Sequence, residues 1–82
     1  MNYEFMLYPP TVVTLAEEIK RVTNDYKARR IGKQKLREVL FWYSEKCPDK
    51  LFNADQYNSS LIKIIGVRRI KLLDQVFSEE IL

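Results

Sequence analysis

Apolar residues recur at helical spacing from Val12 onward. Val12, Leu15, Ala16, Ile19, Val22, Thr23 and Tyr26 fall on one stripe, about 120° wide when each residue advances ~100°. The opposite side carries Glu17 with Arg21 and Asp25 with Arg29, each four residues apart in the order that favours a helix. Thr11 precedes the stripe as an N-cap, so the pattern predicts a helix over residues 12–29. Gly32 then offers a weak cap for a second helix over 33–46, with Leu36, Val39, Leu40, Tyr43 and Cys47 inward and Pro48 as its stop. Asn53 can cap a third helix over 54–65, burying Tyr57, Leu61, Ile64 and Ile65. Gly66 suits a left-handed position after it. A fourth helix is expected over 67–78, with Ile70, Leu73, Val76 and Phe77 inward.

The stretch NYEFMLY, residues 2–8, reads differently. It alternates, with Tyr3, Phe5 and Leu7 on one side and Glu4, Met6 and Tyr8 on the other, and Pro9-Pro10 closes it. No second strand is evident to pair with it. It either lies as an extended arm over the helices or pairs with its copy in a dimer. The expected fold is all-α: a compact bundle of four short helices with an extended N-terminal arm or lone strand, forming one domain over 1–82.

The stretch IIGVRRIKLLDQV, residues 64–76, fits two architectures. A helix-turn-helix with Gly66 in its turn would place Leu61, Ile65, Val67 and Leu72 at apolar positions, as found. It would also want a small residue where Ile62 stands. The helix after Gly66 has an apolar arc of about 160°, which leaves a narrow polar face of Arg68, Lys71, Asp74 and Gln75. A packed helical corner therefore fits better than a recognition helix. Arg69 falls inside the apolar arc. It must snorkel to the surface, pair with an acid such as Glu17, Glu18 or Glu38, or bind an anion near the helix start.

Charge is unevenly spread. The chain has 14 basic and 11 acidic residues, and six of the basic ones lie in KARRIGKQKLR, residues 27–37, which holds no acid. The rest of the chain is therefore net acidic. Lys27, Arg29 and Arg30 suit the end of a helix, but Lys33 and Lys35 open the next one, where the dipole disfavours cations. With Arg37, and with Arg68 and Arg69 beyond, they are the nucleic-acid or anion-binding candidates. Phe41 and Trp42 point away from the core stripe of the second helix. Either that helix is covered on several sides, or the pair anchors a protein interface together with Tyr3 and Phe5 of the arm.

Composition narrows the chemistry. There is no histidine and one cysteine, Cys47. No intramolecular disulfide can form, and the commonest general base and metal ligand is missing. Ser59-Ser60 has no histidine to activate it, Glu79-Glu80 sits among exposed charges, and there is no glycine-rich phosphate loop. No enzyme, cofactor or metal site is expected. No apolar run approaches the ~20 residues that span a bilayer, and the first residues lack the pattern of a signal peptide, so a cytoplasmic protein without membrane contact is expected. A chain this small without staples often gains stability by associating, which favours a homodimer.

The segment LIKIIGVRRIKLL, residues 61–73, carries a resemblance. An apolar run, a glycine, two basic residues and a second apolar run resemble the C-terminal half of a family of small proteins from Firmicute bacteria and their mobile elements. That family has no assigned function, so the resemblance implies only a bacterial or phage context in which small helical proteins bind other macromolecules. The expected function is a non-enzymatic protein-binding module, homodimeric through Phe41, Trp42 and the arm. The alternative is a small nucleic-acid-binding regulator that uses residues 27–37.

Overall fold

A computed structural model describes residues 3–79 and measures 33 × 29 × 22 Å across its principal axes. Among these residues the order is α1 (Val12–Lys27), α2 (Lys33–Lys46), α3 (Pro48–Leu51), β1 (Phe52–Asn53), β2 (Gln56–Tyr57), α4 (Ser59–Ile65) and α5 (Val67–Glu79). The fold is predominantly helical, but it is not the expected bundle of four helices.

Thr11 caps α1 as its sequence position suggests, its Oγ1 accepting from the Thr14 N–H at 3.1 Å. The helix stops at Lys27, two residues short of the expected end. The Arg29 N–H donates to the Tyr26 carbonyl and the Arg30 N–H to the Asp25 carbonyl, with Arg29 at φ 62. These are the bonds of a Schellman motif, and its left-handed position, usually glycine, holds an arginine. The charge pairs on α1 also shift. Arg21 joins Glu18 and Asp25, Glu17 joins Lys20, and Asp25 joins Arg30 rather than Arg29.

The expected third helix over 54–65 is replaced by a hairpin followed by α4. Pro48 both stops α2 and opens the single turn α3, where its missing N–H is harmless. Phe52 and Tyr57 face each other across the antiparallel pair, ring centroids 5.6 Å apart. Ala54 takes φ 58 in the two-residue turn between them. The cap of the helix that follows is Asn58, not Asn53: its side chain accepts from the Ser60 and Leu61 N–H groups. Tyr57 thus leaves the expected helical core stripe. Its hydroxyl donates to Asp74 at 2.9 Å.

α1 packs chiefly against α4 and α2. The fully covered core is Leu15, Ala16, Ile19 and Val22 of α1, Leu36, Val39, Leu40 and Tyr43 of α2, and Leu51, Leu61, Ile65, Leu73 and Val76 behind them. Cys47 is buried at its edge as a free thiol. α4 and α5 meet at one residue. The Gly66 N–H closes α4 on the Ile62 carbonyl, and the Gly66 carbonyl accepts from the Ile70 N–H to open α5. Gly66 has φ 87 and ψ 160, a region essentially limited to glycine. A helix-turn-helix joins its helices through three or four residues. This joint is a tight packed corner.

Candidate functional site

Two surfaces bring the sequence-selected residues together. The first is the arm and its seat. Residues 3–8 form no strand and run across α1 and α2, bending at Leu7 and Tyr8; Asn2, the first residue of the expected stretch, lies outside the described residues. The Met6 N–H donates to Glu18 at 3.0 Å, and Arg21 donates to the Glu4 carbonyl at 3.1 Å. From α2, the Tyr43 hydroxyl donates to the Met6 carbonyl at 2.6 Å and the Trp42 indole N–H to the Leu7 carbonyl at 2.7 Å. Side chains thus satisfy a backbone that has no strand beside it. Tyr3 is held by its hydroxyl, which donates to Asp25 at 2.5 Å and accepts from Arg21 at 2.9 Å.

This network shifts its ionisable groups. Burial, helped by the bond to Asp25, pushes the Tyr3 hydroxyl up to about 12. The bond from Arg21 holds Glu18 below the usual carboxylate range, and the bond from Tyr3, with Arg30 second, does the same for Asp25. Burial also raises the Tyr43 hydroxyl.

Phe41 and Trp42 have separate environments. Trp42 lies under the arm, edge-on to Phe5 at 6.4 Å and to Tyr8 at 5.8 Å. Phe41 turns the other way, edge-on to Phe77 of α5 at 5.1 Å. Both are half-buried. α2 is therefore covered on several sides, one of the two arrangements its sequence allowed. On its outer side Gln34, Arg37, Glu38, Phe41 and Glu45 line a shallow groove of about 350 Å³. The arm's outward residues stay bare: Met6 is 44%, Leu7 46% and Tyr8 64% exposed.

The second surface is the corner between α1 and α2. Lys27, Arg29, Arg30 and Lys33 line one open cavity of about 570 Å³, together with Tyr26, Ile31 and Gly32. Arg30 pairs with Asp25 at 3.0 Å and Lys33 with Glu79 of α5. Among the described residues Lys27 and Arg29 have no acid partner. Lys35 and Arg37 do not join the cavity: Lys35 pairs with Glu38 at 2.7 Å, and Arg37 belongs to the groove beside Phe41.

Arg68 and Arg69 separate completely. Arg68 is exposed on α5. Among the described residues Arg69 binds no acid, contrary to the expected pairing with Glu17, Glu18 or Glu38. It donates to Thr23 Oγ1 at 3.0 Å, to the Ile65 carbonyl at 3.1 Å and to Asn24 Oδ1 at 2.6 Å. Neutral acceptors suffice because the guanidinium is only partly buried and caps the last carbonyl of α4. Arg69 is a clasp joining α1, α4 and α5.

Glu18, Arg21, Asp25 and Tyr43 were not selected from sequence as site residues, yet they seat the arm. Only the contrast between an unpaired extended stretch and a ready set of polar side chains hinted at it. Among the described residues no helix is long and apolar enough to cross a membrane, and no cluster of acidic and cysteine side chains could hold a metal ion. Neither the curated proteins nor the solved structures contain a match to this chain. A family model described as conserved hypothetical protein matches residues 6–78, from the arm through nearly all of α5. That span takes in the arm's seat, the basic corner and the Gly66 joint alike, so the chain belongs to CLB_0814_fam, a family of conserved hypothetical proteins.

Proposed function

We propose that the protein is a small non-enzymatic protein-binding module that works through the outer face of its arm, with a second copy of the chain as its first partner. One observation carries this reading. Met6, Leu7 and Tyr8 are consecutive, large and bare, and they are fastened from beneath by Trp42 and Tyr43. Apolar side chains on a preorganised backbone lose little freedom on binding, and tyrosine is a favoured anchor. Tyr3, Phe5 and Trp42, three of the four interface residues expected from sequence, become the support of the contact rather than its surface. Phe41, the fourth residue expected at the interface, faces Phe77 on the other side of α2 and takes no part in this surface.

Light scattering on a size-exclusion eluate tests the proposal. The expected result is a dimer that persists in high salt and dissociates in Leu7→Asp/Tyr8→Asp, with unchanged helical circular dichroism. A parent chain that stays monomeric at every accessible concentration would sink it.

A further inference from the structure

We infer that the corner between α1 and α2 binds a single polynucleotide strand, its phosphates on Lys27, Arg29, Arg30 and Lys33 and a base against Tyr26. The four cations face one cavity of about 570 Å³. That volume lies in the range of ligand sites, about 300–1,000 Å³, and far exceeds the share of one water, about 30 Å³. The cavity is open, which suits a chain passing across it better than an enclosed small molecule. Aromatic surface set among cations is the composition by which single strands are held, phosphates by charge and bases by stacking.

The cations are available. Lys27 and Arg29 meet no acid among the described residues. The side chains of Arg30 and Lys33 are 71% and 51% exposed, so their ion pairs are weak enough to exchange for phosphate. Gly32 gives the first turn of α2 no side-chain acceptor, which leaves its N–H groups pointing toward the same corner. Arg29 occupies a left-handed position that favours glycine, so a long cation stands where the backbone prefers no side chain. An anionic membrane is the weaker match. It would want apolar side chains projecting at the site, whereas the apolar lining here is Tyr26 and Ile31, both half-buried.

Fluorescence anisotropy with a short labelled single strand of mixed sequence, titrated with the full chain, tests this. Four phosphate contacts predict that log K falls with log salt at a slope of about −3. Lys27→Gln/Arg29→Gln should roughly halve that slope and weaken binding at least tenfold at low salt. Arg29→Gly should bind more weakly while melting no lower than the parent, which separates lost contact from lost fold. The inference is overturned by binding that ignores salt, by variants that bind like the parent, or by absent binding at low salt. Tighter binding to the matching duplex would overturn the single-strand assignment. Vesicles of phosphatidylserine that bind when the strand does not would assign the corner to a membrane instead. The dimer is read by light scattering on protein alone, so either idea can fail without the other.

Discussion

Two helix corners among the described residues, α1–α2 and α4–α5, each turn on one residue with positive φ, and they use it differently. At the α4–α5 corner that residue is Gly66, with φ 87 and ψ 160. At the α1–α2 corner it is Arg29, with φ 62. The first conformation is closed to other residues by the backbone itself: a Cβ on Gly66 would meet no atom within 4 Å, so no neighbour imposes the glycine. The second, at a left-handed φ, admits most unbranched side chains at a moderate cost. One corner therefore dictates its residue, and its flanks are given over to packing and to the Arg69 clasp. The other leaves the choice open, and the chain fills it with charge. A position where geometry would accept glycine and the sequence holds arginine points to a use for the side chain beyond the turn.

Substitutions at the two corners should break this contrast in opposite directions. Gly66→Ala is expected to destabilise by about 2–3 kcal/mol, because the strain is in the backbone and no repacking relieves it. Chemical denaturation would show it as a lower midpoint with an unchanged slope; a midpoint equal to the parent's would mean the joint relaxes freely. Arg69→Ala comes next, at about 2 kcal/mol, since Thr23, Asn24 and the Ile65 carbonyl all lose their donor. Arg29→Gly should move the other way and stabilise by roughly 1 kcal/mol. Ala54→Gly, which relieves a left-handed residue carrying no charge, should stabilise by a similar roughly 1 kcal/mol and leave strand binding untouched. If the two glycine variants changed strand binding equally, Arg29 would have no role beyond the turn.

The smallest expected effect links the basic corner to the arm through Asp25, which holds both Tyr3 and Arg30. Asp25 and Glu18 lie below their usual values of 3.8 and 4.5 in the folded protein. Their contribution is complete above those values and fades as pH falls through the lowered folded ones. Tyr3 runs the other way: its contribution is complete below its usual 10.0 and is lost as pH rises through about 12. Trp42, the single tryptophan, donates to the arm at Leu7 and reports its seating. Its emission should hold steady between these limits and change at both. A transition near neutrality would show that these groups do not hold the arm.

Much of this is legible in the amino-acid sequence. The 3.6-residue stripes placed α1, α2 and α5 within two residues of their ends, because each is long enough for its apolar period to stand out. The inward residues of α1 and α2 follow from those stripes, as do the Thr11 cap and the arm ahead of Pro9-Pro10. The short elements were not legible. A stripe through Tyr57, Leu61, Ile64 and Ile65 has helical spacing, yet Tyr57 is drawn off it by Phe52 across the hairpin and by Asp74 on α5, and Asn58 restarts the chain as a cap. Over a few residues local pattern is weak, and a distant partner decides.

The same division separates what kind of residue stands at each site from what it does there. Local chemistry alone determined a small helical fold, a helix break at Gly66, and a basic stretch over residues 27–37 in an otherwise acidic chain. The glycine-only φ 87 and ψ 160 of Gly66, in place of the expected left-handed helical position, came with the structure. Tertiary structure decided which cations share a cavity, that Trp42 lies under the arm while Phe41 faces α5, and that Arg69 clasps neutral groups instead of an acid. Helix periodicity and φ preference act over a few residues and can be read along the chain. Partners brought together across 35 positions, as Leu7 and Trp42 are, exist only once the whole core has closed.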